Sequence, residues 1–178
     1  MALYSSKLTS AGFNHAFFTR YGGISEPPFD SLNFSLATGD ARAAVQENMR
    51  RAGGVLGVSA EKIYFLNQVH GVQVQQVHGD DPREEVLRRD GDIVISADTS
   101  LACGTRTADC GPLLFADPRS GLVAAVHAGW RGTVAGVVAE TVEALARLGV
   151  RPEEIIVAIG PMIERCCFEV GEDVAQTI

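Results

Sequence analysis

The sequence has no block of five or six Lys and Arg residues, and its 15 basic side chains are outnumbered by 22 acidic ones, a formal charge of −7. That balance disfavours sequence-independent binding to a polyanion, so a nucleic-acid partner is not expected. No apolar run approaches the roughly 18 residues needed to span a bilayer. Residues 1–10 are mixed and polar, unlike an export signal. A soluble, cytoplasmic protein with no membrane partner is expected. Cysteine is scarce, with Cys103, Cys110, Cys166 and Cys167 alone, and a reducing compartment argues against a disulfide framework. The adjacent Cys166 and Cys167 lack the two-residue spacer of a redox or zinc-ribbon pair and are expected to be buried structural thiols. Histidine is equally scarce, at four residues, which weighs against a centre built from several coppers.

What is present is an ordinary globular composition: 46% hydrophobic and 21% charged residues over 178 positions, with 19 Gly and 7 Pro. A domain of this size buries roughly two thirds of its unfolded surface and needs no metal merely to fold. A metal in this chain is therefore expected to serve chemistry. Composition does not shift along the chain and no repeat is seen, so residues 1–178 are expected to form one domain.

Extended runs are expected at 63–69, 72–77, 92–96, 101–107, 112–116, 122–127 and 154–159. One helix is expected from the N-cap Asp40 through Val45, Met49, Ala52 and Leu56 to Gly57. A second is expected after Thr133, with Val134, Val137, Val138, Thr141, Leu145 and Leu148 on one side and Gly149 as terminator. The order is no regular βαβ alternation, so the expected class is α+β with a layered mixed β-sheet flanked by helices.

Three residues stand at ends of apolar runs next to Gly: His70 in Asn67-Gln-Val-His-Gly71, Cys110 in Thr107-Ala-Asp-Cys-Gly-Pro112, and His127 before Ala-Gly-Trp-Arg-Gly132. Glycine turns let a substrate approach the backbone closely. Imidazole and thiolate are the ligands zinc prefers, and two His plus one Cys leave a fourth tetrahedral position open, the hallmark of a catalytic site. The same residues also suit a cysteine hydrolase, with Cys110 as nucleophile, His127 or His70 as base and Asp109 as orienting group. Residue types alone do not separate the two readings. His15 and His78 are read as a core or surface histidine and a loop histidine. The segment Ala128-Gly-Trp-Arg-Gly-Thr133 runs into the second helix beside Arg131, an arrangement suited to an anion. Trp130 suits either the core or stacking on a planar base. Arg20, in Thr19-Arg-Tyr-Gly-Gly23, is a second anion candidate.

Taken in order, Phe18-Thr-Arg-Tyr-Gly-Gly-Ile-Ser25, Ser31-Leu-Asn33, Asn67-Gln-Val-His-Gly71, Thr107-Ala-Asp-Cys-Gly-Pro112, Val126-His-Ala-Gly-Trp-Arg-Gly132, Ile159-Gly-Pro161 and Cys167-Phe-Glu-Val-Gly171 resemble the laccase-domain family. Its members were first called multicopper polyphenol oxidases and are better described as zinc-containing purine nucleoside enzymes. The resemblance implies His70, Cys110 and His127 as metal ligands and a fold like the cytotoxic necrotizing factor catalytic domain. It implies phosphorolysis of adenosine, inosine, guanosine and methylthioadenosine with phosphate, together with adenosine deamination. Asp109, Cys110 and Arg131 become the expected catalytic residues, and Arg20, Asn33, Trp130 and Arg131 the expected substrate-binding ones. Copper-dependent polyphenol oxidation and cysteine amidase action in peptidoglycan editing are the alternatives it carries. Either a monomer or a homodimer is compatible with it. Met162 stands where many members carry Cys, outside the three ligands. Members usually run several tens of residues further, so the chain is expected to lack the family's C-terminal segment, with 171–178 reading as the start of a helix.

Overall fold

A computed structural model describes residues 2–178. In chain order it has β1 (Ala2–Leu3), α1 (Ser6–Ser10), β2 (Phe17–Phe18), α2 (Arg42–Leu56), β3 (Ile63–Tyr64), β4 (Val74–Gln76), α3 (Arg83–Val86), β5 (Ile93–Ser96), β6 (Ala102–Cys103), β7 (Gly111–Ala116), β8 (Val123–Ala128), α4 (Trp130–Val134), α5 (Val137–Arg147), β9 (Ile156–Ile159) and α6 (Glu172–Ala175). No helix among the described residues is long and apolar enough to cross a membrane.

The scaffold is a five-stranded mixed sheet in the order β4-β5-β8-β7-β9. β4 runs parallel to β5, and the other pairs are antiparallel. Side chains alternate across a strand, and that alternation sorts the core. Ile93 and Ile95 of β5 join Ala124 and Val126 of β8 under Val137, Ala144 and Leu145 of α5. Val94 and Ala125 point the other way, onto Tyr64, Leu66, Val77, Val86 and Leu101. That second layer contains the parallel pair β3–β6, and α2 packs outside it through Val45, Met49 and Ala52 on Ile63 and Phe65. The expected α+β class with a layered mixed sheet is the one observed.

Several boundaries differ from expectation for physical reasons. The runs expected at 63–69 and 101–107 pair over two residues each. Beyond Tyr64 the chain turns into a loop fixed by side chains: Gln68 exchanges two hydrogen bonds with the backbone of Arg106. Asp40 is not the N-cap of α2. Ala41 takes that position, while the Asp40 carboxylate accepts from Ala41 N and from Asn33 Nδ2. Gly57 ends α2 at a positive φ of 75° as expected. The second expected helix starts earlier, at Trp130, and breaks at Gly136, whose φ of 88° a side chain would disfavour. The break turns Val134 and Val138 outward, to 47% and 43% exposure. Cys166 and Cys167 are exposed rather than buried, because residues 161–171 follow β9 as an open loop.

Candidate metal centre

Within β8, odd-numbered residues face away from α5, and this alternation carries His127 to the side of the sheet where the 69–71 loop lies. Its Nδ1 lies 2.7 Å from Asp92 Oδ1, both side chains being buried. A carboxylate accepts, so Nδ1 carries the proton and Nε2 keeps its lone pair for a metal. Asp92 precedes β5 and also receives the backbone N–H groups of Val69, His70 and Gly71, at 3.2, 3.0 and 2.7 Å. Three successive N–H groups converging on one anion form a nest, and the bend this needs places His70 at φ 59°. One buried carboxylate thus sets both the ring of His127 and the backbone of His70.

Cys110 sits immediately before β7, where Gly111 pairs with Ala128 and Pro112 with His127. The candidate ligand atoms of His70, Cys110 and His127 all lie within 4.8 Å of one another. The two imidazoles meet edge to face at 4.7 Å. Separations around a tetrahedral zinc are about 3.3–3.8 Å from ordinary bond lengths, so small side-chain adjustments close the set on an ion. Gly129 leaves the room: a Cβ there would stand 2.7 Å from His70 Cδ2 and 3.3 Å from Cys110 Sγ. Burial first, then the charges of Asp109 and Asp92, push the Cys110 thiol above its ordinary value. A metal reverses that logic by binding the thiolate. Donor chemistry, proximity and missing bulk fit a metal ion, and no second such group occurs among the described residues.

The other expected site residues fall in two places. Asp109 is exposed, one residue from Cys110, and its carbonyl accepts from Ile163 N at 2.9 Å. It lines a cleft of about 1260 Å³ with Arg20 and Asn33. Arg20 is ion-paired with Asp30 and donates to its carbonyl at 2.9 Å. Asn33 uses its amide to tie Ser35, Thr38 and Asp40 together. Trp130 and Arg131 are outside the lining of that cleft, directly after Gly129, with the Arg131 guanidinium 4.6 Å over the indole. His15 bonds Ser5 N and Phe13 O and is far from the ligand set in its partners. His78 is exposed in a loop.

Sequence reasoning missed Asp92 as a functional residue. The available signal was an acidic residue abutting the wholly apolar run Ile93-Val-Ile95, a position that a charge occupies only with partners.

Residues 14–178 match the profile of the family described as multi-copper polyphenol oxidoreductase laccase. The chain belongs to that family. Among its similar proteins is a purine nucleoside phosphorylase of Deinococcus radiodurans, 46% identical over 90% of this chain and 61% of its own length. Another is a purine nucleoside phosphorylase of Streptomyces coelicolor, 42% identical over 96% of this chain and 69% of its own. Among solved structures, the Bacillus licheniformis protein YfiH superposes with a TM-score of 0.85 at 33% identity, covering 92% of this chain and 63% of that one. This laccase-family chain thus spans about three fifths of the Deinococcus relative's length.

Proposed function

We propose that the chain is a cytoplasmic, zinc-dependent purine nucleoside phosphorylase, converting adenosine, inosine, guanosine or methylthioadenosine plus phosphate to base plus ribose 1-phosphate, with adenosine deamination as a further activity. The observation that carries this reading is the convergence of His70, Cys110 and His127 within reach of one ion, in a chain whose relatives include proteins named purine nucleoside phosphorylase.

His70, Cys110 and His127 would hold a zinc ion, which when bound would supply Lewis-acid chemistry. In phosphorolysis a phosphate oxygen bonds to the sugar C1′ as the bond to the purine nitrogen breaks. The electron pair leaves with the base, which needs a proton. Asp109 is assigned as the proton carrier because it flanks Cys110 and opens onto the cleft. Arg131 adds positive charge on the Trp130 side of the centre, and Trp130 offers a flat face for the purine. Asp92 positions His127 and His70 without touching substrate.

The upward push on the Cys110 thiol weighs against a metal-free cysteine amidase, whose nucleophile must ionise without a metal's help. Copper is the alternative metal. Elemental analysis of protein purified without added metal, coupled to separate quantitation of hypoxanthine, adenine, inosine and ribose 1-phosphate, is expected to find about one zinc per chain and phosphate-dependent ribose 1-phosphate. Cys110→Ala is expected to lose both. Unchanged metal content and turnover in that variant would overturn the reading.

A further inference from the structure

We propose that Arg106 forms an anion site in the cleft wall that also carries Asp109, and that the anion is inorganic phosphate. The identity of the anion rests on the phosphorylase reading, whereas the site rests on geometry.

The cleft has two arginines in its lining, Arg20 and Arg106. Arg20 is neutralised by Asp30. Arg106 has no carboxylate in ion-pair distance among the described residues. Its one side-chain hydrogen bond runs to the Leu66 carbonyl at 3.3 Å, and its guanidinium lies 5.4 Å over the Phe65 ring. Those two contacts fix the plane of the fork and leave most of its N–H groups unengaged, the arrangement suited to bidentate binding of a phosphate. Burial, and after it the charge of Arg83, disfavours the protonated form of Arg106. A guanidinium partly withdrawn from water with no paired carboxylate favours an entering anion, and a phosphate near −2 does this better than a monoanionic carboxylate.

The position is as telling as the charge. Arg106 N donates to Gln68 Oε1, and Gln68 Nε2 donates back to Arg106 O, both at 2.8 Å. Gln68 stands two residues before His70, and Arg106 four residues before Cys110. The guanidinium is thereby registered to both segments that supply metal ligands, and Thr105, Thr107 and Asp109 line the same wall.

Calorimetric titration of the metal-loaded protein with inorganic phosphate tests this. Arg106→Gln is expected to weaken phosphate binding by about 10-fold or more and Arg106→Lys by several-fold, since an ammonium cannot reproduce the fork. Phosphate binding of wild-type strength in Arg106→Gln with an unchanged thermal midpoint overturns the proposal, as does wild-type protein that binds no phosphate. Should Arg106→Gln not fold, undiminished binding in Arg106→Lys overturns it instead. Phosphate bound through Arg106 without ribose 1-phosphate production would sink the phosphorylase reading and leave the site. Phosphorolysis with an unchanged phosphate KM in Arg106→Gln would do the reverse.

Discussion

At the scale of single residues, the centre depends on one carboxylate and one missing side chain. Asp92 is fully buried and accepts from three backbone N–H groups and an imidazole. Asp92→Asn keeps the shape, removes the charge and turns one acceptor into a donor facing N–H groups. Charged hydrogen bonds of this kind contribute about 1.5–3 kcal/mol each, so urea denaturation should show a loss of about 2–3 kcal/mol. Metal affinity should fall about 10–100-fold, as for other orienting partners of metal-bound histidine, read by competition with a chromophoric chelator. Undiminished affinity would mean that Asp92 supports the fold without orienting a ligand. Gly129 makes a different case. Its φ of −75° and ψ of 165° are open to any residue, so the requirement there is space rather than conformational freedom. Gly129→Ala should leave the metal-free thermal midpoint nearly unchanged, because the exposed His70 ring can swing outward, while metal affinity falls by about 10-fold or more. Residue types and family resemblance pointed to His70, Cys110 and His127. They could not point to Asp92, whose role exists only because β5 and β8 pair Ile93 with Val126 and so bring His127 beside it.

At the scale of elements, α2 does two jobs. Its apolar stripe covers Ile63 and Phe65, and Asn48, fully buried on the same helix, holds the loop that carries Arg20 and Asn33. Asn48 Oδ1 accepts from Ile24 N at 2.9 Å, and Nδ2 reaches Ser25 Oγ and the carbonyls of Ser31 and Asn33. Asn48→Ala leaves several buried polar groups unpartnered. The expected cost is about 3 kcal/mol, or roughly 6–12 °C in thermal midpoint for a chain of this size. Amide exchange of Ile24 and Ser25 should accelerate more than that of β8; uniform acceleration would show that the loop has no separate dependence on Asn48. Helical period made α2 legible, and Gly57 marked its end. The segments 63–69 and 101–107 read as long strands because a partly buried loop stabilised by side-chain hydrogen bonds has the same composition as a strand. Only the distant partners, Gln68 with Arg106 and Asn67 with Asp90, end the pairing, and no local pattern announces them. Gly136 was visible in the sequence, but its left-handed conformation depends on α4 and α5 packing in different directions.

At the scale of the whole molecule, the metal ligands come from three segments that the sheet brings together: the 69–71 loop, the residue before β7, and β8. An ion bound to all three stabilises only the folded arrangement, so its binding free energy adds to stability by mass action. With free metal at about 1,000 times its dissociation constant the gain is about 4 kcal/mol, or a rise of roughly 8–16 °C. The net charge of −7 helps a cation arrive and opposes a phosphate, which is why uncompensated guanidinium groups matter locally. Chelation should therefore lower the thermal midpoint of the purified protein, zinc should restore it, and added salt should weaken metal recovery while leaving the midpoint of the metal-free protein comparatively unmoved. In Cys110→Ala the metal-dependent rise should shrink to a few degrees, since a two-histidine remnant binds far more weakly. Differential scanning of the wild type and this variant, each with chelator and with zinc, separates a true three-ligand centre from adventitious surface binding. A rise of equal size in both proteins would place the metal elsewhere on the molecule and leave the convergence of His70, Cys110 and His127 without a ligand-binding role.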